Sequence, residues 1–294
     1  MIGAIIGDIA GSRFEFNNYK AKNIKLFGGD DFSGFMKSGR GYKYDKCTFT
    51  DDSVMTIALA DALLKLPNKS PTKEFEKKFK DTVIDSFKLW GQRYPNAGYG
   101  ARFISWVLSH DRQPYNSFGN GSAMRVSPVI WYADSIEEAE TFAKWSAEVT
   151  HNHPEGIKGA VVTAVAGYMA RTGSNKLEIG DYVRQYYPTA GTRHWQDIAA
   201  VNTHVETCMN ALPIAMNSFI QGKNYEDVIK EAIACGGDSD TIAAIAGAVA
   251  EAYYKVDANT MIAALRFLPN DLKLVVAEFM QKYNRTGAYS DGRS

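Results

Sequence analysis

Apolar residues recur every three or four positions along most of this chain, a period that predicts helices rather than strands. The stretch after Ser70 and Pro71 carries Phe75, Phe79, Val83, Ile84 and Phe87 on one stripe. Ser70 is the expected cap there, with proline at the first helical position. A second helix opens as a capping box, Ser135 with Glu138, and turns Ile136, Ala139, Phe142, Ala143 and Val149 inward. Its successor, from about Glu155 through Tyr168, is rich enough in alanine, valine and glycine to be buried all round. "THVETCMNALPIAMNSFIQG" predicts a rod kinked at Pro213, "NYEDVIKEAIA" a helix capped by Asn224, and "DLKLVVAEFMQKY" one near the C-terminus. Alternating strand patterns are scarce. The expected fold is all-α, a compact single-domain orthogonal helical bundle over residues 1–294.

Two stretches break the period. Residues 28–48 and 185–200 carry glycine, aromatics and mixed charge and are expected to be loops near a site. Gly3, Gly7 and Gly11 are spaced by four, not as the G-x-G-x-x-G of a dinucleotide-binding turn. Such spacing puts them on one helical face, where tight helix contact is the favoured role.

Composition narrows the classes. With 294 residues, 45% of them hydrophobic, the chain can bury a large core. Its 33 basic residues balance 33 acidic ones, so bulk nucleic-acid binding by counterion release is not expected. Cys47, Cys208 and Cys235 show no C-x-x-C spacing, which argues against a disulfide framework or structural zinc and suggests a reducing, cytoplasmic compartment. The apolar N-terminus meets Asp8 too early for a signal peptide, and no stretch reaches membrane-spanning length without a charge.

The chemistry gathers at two helix starts. "GGDSDTIAAI" (236–245) puts Asp238 and Asp240 together before a run of small apolar residues, and "FTDDS" (49–53) puts Asp51 and Asp52 behind Thr50. One carboxylate at such a position caps exposed amides and suits the helix dipole. A second beside it repels the first and needs a cation to stay ionised, yet neither motif contains Lys or Arg. Oxygen ligands without Cys or His suit Mg²⁺, Mn²⁺ or Ca²⁺ rather than zinc. If the two starts converge, Thr50, Asp51, Asp52, Asp238, Asp240 and Thr241 could hold a pair of ions.

These blocks, with "GDIAGSRFE" (7–15), "GNGSAMRVSP" (119–128) and "THNHPEGIKGA" (150–160), resemble in content and order those of the ADP-ribosylglycohydrolases. The resemblance implies an all-α fold around a binuclear Mg²⁺ or Mn²⁺ centre in a cleft that receives ADP-ribose. It makes Thr50, Asp51, Asp52, Asp238, Asp240 and Thr241 metal ligands, and Glu15 a glutamate on a loop that can close over the metals. Ser117, Gly119, Asn120 and Gly121 match a loop that wraps the diphosphate, and His151 a histidine beside the nucleotide. Phe118 stands where some relatives have tyrosine, so ring stacking would survive without the phenol. From the residues alone "FGNGS" also reads as a tight turn, and His151 and His153 as capping or turn residues before Pro154. Arg125 is expected to be a buried or cleft-lining ion-pair partner.

The implied reaction is hydrolysis of the glycosidic bond between ADP-ribose and an acceptor, releasing ADP-ribose and reversing ADP-ribosylation. Asp52 and Glu15 are both candidates for the base. Two other readings stay open: a two-metal phosphohydrolase of nucleotides or sugar phosphates, and a non-catalytic ADP-ribose-binding or structural relative. The acceptor, whether arginine, serine, nucleobase or small molecule, is not encoded in any motif.

Overall fold

The computed structural model describes residues 1–16, 20–27, 47–67, 69 and 72–283. Among these the secondary structure is α-helical without a β-strand, as the periodicity predicts, and one antiparallel bridge pairs Gly119 with Thr207. In chain order the helices are α1 (Ile2–Gly11), α2 (Asp51–Lys65), α3 (Lys73–Arg93), α4 (Ala101–Leu108), α5 (Gly121–Met124), α6 (Ser127–Tyr132), α7 (Ile136–Glu148), α8 (Pro154–Arg171), α9 (Lys176–Arg184), α10 (Trp195–Val201), α11 (Cys208–Gln221), α12 (Tyr225–Ala234), α13 (Ser239–Tyr254), α14 (Ala258–Leu265) and α15 (Asn270–Tyr283).

The centre of the molecule is α13. Every residue from Ser239 to Glu251 is buried, with α1, α8, α11 and α12 packed around it. Its alanines and isoleucines leave no polar face, as expected of a helix enclosed on all sides. Every residue of α1 is buried as well. The two lie so close because the glycine stripe of α1 has no side chains to hold them apart. A Cβ on Gly3 would run into the carbonyl oxygen of Gly247, and one on Gly7 into that of Ala243. One on Gly11 would stand 2.5 Å from the Cα of Asp240. The expected close-packing role therefore holds, and its consequence is that the end of α1 meets the start of α13. A bond from the Gly3 amide to Glu251 (2.8 Å) ties the other ends together.

Local capping explains most boundaries. Asn224 accepts from the Asp227 amide (2.9 Å), as predicted. Ser135 accepts from the Glu138 amide (3.2 Å), but the Glu138 carboxylate reaches back to the amide of Asp134 (2.8 Å), so the box closes one residue early. α3 begins later than predicted, with Thr72 as cap accepting from the Phe75 amide (3.2 Å); Ser70 and Pro71 lie outside the described residues. No residue of α8 from Glu155 to Arg171 is exposed, and α11 runs on through Pro213. The loop expected at 185–200 is in part helix, since Trp195–Val201 form α10. Its counterpart at 28–48 lies outside the described residues except for Cys47 and Thr48. Among the described residues no helix is long and apolar enough to cross a membrane.

Replacing Gly7 by alanine sets a methyl group against backbone that cannot rotate away. Gly7→Ala should lower the unfolding free energy by about 1–3 kcal/mol or more in urea titrations. Alanine at Gly100, where a Cβ meets nothing within 4 Å, should change it by less than about 0.5 kcal/mol.

Candidate active site

The two acidic helix starts meet. Thr241 at the start of α13 donates its hydroxyl to Asp52 Oδ2 at the start of α2 (3.0 Å), joining residues 189 apart in sequence. Neither start uses its carboxylates as caps. Thr50 caps α2, taking the Asp52 amide at 3.3 Å, while Asp238, at the cap position of α13, makes no capping bond. The carboxylates are turned into a cleft of about 690 Å³, in the size range of small-molecule sites.

Asp8 fixes the meeting point, and the sequence reading missed it as a site residue. Its carboxylate, fully buried in α1, accepts from the Thr50 amide (3.0 Å), the Thr50 hydroxyl (2.7 Å), the Ser53 amide (3.0 Å) and the Ser53 hydroxyl. Two of these donors are amides of the first turn of α2 and its cap, so α1 itself satisfies the start of α2. The only sequence signal was a carboxylate inside an otherwise apolar helix, directly after Gly7.

The start of α13 is held from the other side. Gly236 and Gly237 take positive φ values of 70° and 79°, left-handed geometry that suits glycine, and lead straight into Asp238. Asn202 clamps that turn, its side-chain amide donating to the carbonyls of Cys235 (3.2 Å) and Gly236 (2.7 Å). Asn120 donates to Asp238 Oδ2 (2.6 Å), and the Thr241 amide to Asp240 Oδ1 (2.9 Å). Asp52 Oδ1 is buried without a hydrogen-bond partner among the described residues. Glu15, just beyond α1, brings its carboxylate to within 4.8 Å of ligand atoms of Asp238 and His204. His204 in turn meets Glu206 (2.9 Å) and the ring of Phe16, neither of them foreseen.

Among the described residues, no Lys or Arg lies within ion-pair distance of Asp8, Asp51, Asp52, Asp238 or Asp240. Burial is the main force raising their carboxyls above the ordinary range, and mutual repulsion adds to it for Asp51, Asp52 and Asp240. Asp8 is pushed up to about 6 by burial despite its four donors. Glu15 is pushed up to about 7 by burial and by Asp238. An orphaned buried oxygen amid uncompensated carboxylates is the donor set a hard divalent cation fits. Thr50, Asp51, Asp52, Asp238, Asp240 and Thr241 all line the cleft and could hold such ions.

Of the remaining predicted residues, Ser117, Gly119, Asn120, Gly121 and His151 line the same cleft. Phe118 does not: it is 44% exposed, and its ring packs edge-on to His153 at 5.3 Å. His153 caps α8 by accepting from the Glu155 amide (3.1 Å), the structural role its position before Pro154 suggested. Arg125 is buried and lines the cleft, yet among the described residues it has no carboxylate partner, contrary to the ion pair expected. The opposite wall was not foreseen: Asn96 to Phe103 line it, with Gly98 at φ 108° beneath Asp51. Residues 185–200 do not line it at all, and His194 and Trp195 face elsewhere.

Comparison with known proteins places the chain in one family. The family model for ADP-ribosylglycohydrolase matches residues 1–284. ADP-ribosylhydrolase ARH3 of Homo sapiens is 24% identical over 320 residues, covering 87% of this chain and 85% of that protein. ADP-ribosylarginine hydrolase Tri1 of Pseudomonas putida is 25% identical over 285 residues, covering 87% of this chain and 70% of that protein. A solved ADP-ribosylglycohydrolase-related protein complex contains a similar fold, with a TM-score of 0.63 at 19% identity, over 95% of this chain and 96% of that one.

The raised carboxyls carry a stability consequence. A folded carboxyl with a pKa above its unfolded value of about 4 holds a proton that the unfolded chain releases. Its contribution is full below that value and is lost as pH rises through the folded one, here about 7 for Glu15. In chelator, Tm should therefore fall by roughly 4 °C or more between pH 5 and pH 8, read by differential scanning fluorimetry.

Proposed function

We propose, from the premise that this chain belongs to the ADP-ribosylglycohydrolase family, that it is a divalent-metal-dependent hydrolase releasing ADP-ribose from an ADP-ribosylated acceptor. The observation that carries the reading is the bond between Thr241 and Asp52 (3.0 Å), which joins two acidic helix starts around the unpartnered Asp52 Oδ1. Two Mg²⁺ or Mn²⁺ ions held there would supply Lewis-acid stabilisation of charge on the distal ribose and the attacking water.

The chain's own groups do the rest. Thr241 and Asn120 each hold one oxygen of Asp52 and Asp238, which fixes the rotamers of these carboxylates. Gly119 and Gly121 present backbone beside His151, where no side chain keeps a diphosphate away. Glu15 is only half-buried at the cleft wall and takes the proton of the attacking water. The water oxygen bonds to the anomeric carbon as the bond to the acceptor breaks, and the acceptor departs with the proton that Glu15 took from the water, passed on directly or through solvent. Positive charge builds on the sugar ring as that bond loosens, and the surrounding carboxylates stabilise it.

Arginine-linked ADP-ribose is the first substrate to assay, because one relative is an ADP-ribosylarginine hydrolase; serine-linked and nucleobase-linked conjugates complete the panel. With Mg²⁺ or Mn²⁺ present, free ADP-ribose should appear by mass spectrometry, and chelation should abolish it. Glu15→Gln should keep divalent binding in calorimetry and lose roughly 10²–10⁴ in kcat. Asp52→Asn should weaken divalent binding by more than about tenfold. Release of AMP or phosphate instead of ADP-ribose, or tight ADP-ribose binding with no turnover of any conjugate, would overturn the proposal.

A further inference from the structure

Arg125 is the largest fully buried side chain among the described residues, and no carboxylate of theirs lies at ion-pair distance from it. The guanidinium lies 4.2 Å over the ring of Phe87 and 5.7 Å from that of Phe103, two faces that attract a cation. Its Nη2 donates to the Ser146 carbonyl (3.2 Å) and to the Thr150 hydroxyl (2.7 Å), while Nε is buried without a partner. An uncompensated buried charge is costly, so its position calls for a reason.

The hydrogen-bond inventory supplies one. Thr150 Oγ1 also lies 2.8 Å from His151 Nδ1. A guanidinium can only donate, so the hydroxyl accepts from Arg125 and must place its own proton elsewhere. Thr150 is fully buried, and among the described residues His151 Nδ1 is the one acceptor within reach of that hydroxyl. Leaving the proton unpaired would forfeit a buried hydrogen bond, so Nδ1 accepts it. A neutral imidazole that accepts at Nδ1 carries its proton at Nε2. Burial and the neighbouring Arg125 both keep His151 neutral. Nε2 faces the glycine loop, 3.0 Å from where a Cβ of Gly121 would stand and 3.6 Å from that of Gly119. Among the described residues it has no hydrogen-bond partner, although His151 is only 4% exposed and lines the cleft.

We infer that Arg125 and Thr150 are positioning residues that lock His151 as an Nε2–H donor aimed over the Gly119–Gly121 loop, where it takes an anionic oxygen of the ligand's diphosphate. The relay turns a ring that could present either a donor or a lone pair into a fixed donor, backed by a full positive charge. A lone pair at that place would repel the same oxygen. The identity of the anion rests on the ADP-ribose reading above; the state of the ring does not.

The experiment therefore has two independent parts on the full-length protein. Proton-coupled ¹⁵N spectra of the histidine-labelled protein report which ring nitrogen bears hydrogen, with the His151 signals among the five histidines assigned through His151→Gln. Wild type and Thr150→Ser should show hydrogen on Nε2 alone, and the near-isosteric Thr150→Val, which removes the relay, should lose that pattern. Hydrogen on Nδ1 in the wild-type protein overturns the inference. In the second part, calorimetry with ADP-ribose and Mn²⁺ should show affinity lowered about tenfold or more in Thr150→Val, restored in Thr150→Ser, and lowered far less for uncharged adenosine. Turnover should show the loss chiefly in KM, since the proposed contact is to the diphosphate rather than to the bond that breaks. Equal ADP-ribose affinity in wild type and Thr150→Val overturns the inference even where the ring state is as stated. Absence of any ADP-ribose binding by the wild type removes the diphosphate assignment with the functional reading, while the spectra still decide the lock.

Discussion

The backbone-to-backbone contact of α1 with α13 is the constraint on which the rest of the molecule depends. Three glycines remove the spacing that side chains impose, and the helices approach until a methyl group would collide with main chain. The last of those contacts, Gly11 against Asp240, lies at the site itself. Asp8, between Gly7 and Gly11 on the same helix, reaches out of that contact to fix the cap and first turn of α2. Packing and chemistry are thus one arrangement here: the surface that lets α1 and α13 touch also decides where the carboxylates of α2 and α13 stand.

The cleft is electrostatically two-ended. Among the described residues, one end collects carboxylates with His204 rather than a Lys or Arg beside them; the other has a guanidinium with no carboxylate at ion-pair distance, screened by aromatic faces and buried hydroxyls. Leaving both charges separated inside a fold is unfavourable unless something bridges them. A ligand that pairs a cation-binding polyol with an anionic linkage fits that polarity, and the proposed metal ions and diphosphate meet it from opposite sides.

What could be read from the linear chain was what depends on near neighbours. The caps at Asn224 and Ser135, the buried stripe of α3 and the glycine face of α1 each involve residues within a few positions of one another. The doubled carboxylates were legible because a single cap leaves the second unexplained. Asp8 was not, since its four donors come from a helix that begins more than forty residues away. Arg125 was misjudged for a related reason: nothing near it in the chain names its partners, and Phe87 and Phe103 reach it only in three dimensions. The wall from Asn96 to Phe103 and the His204–Glu206 pair share this property, their relation to the site being purely tertiary. The 185–200 stretch looked irregular because its one helix is only seven residues long, too short to display a period.

The bonds that build the centre join chain positions separated by 189 and 228 residues, Thr241 to Asp52 and Ser239 to Gly11. Contacts of such span are the slowest to form, because the entropy of closing the intervening chain precedes any gain from the contact. On a ribosome, α1 and α2 emerge long before α13 and must wait with their acidic groups in solvent. The candidate centre is consequently a late product of biogenesis, because its two acidic helix starts come together only once α13 has formed.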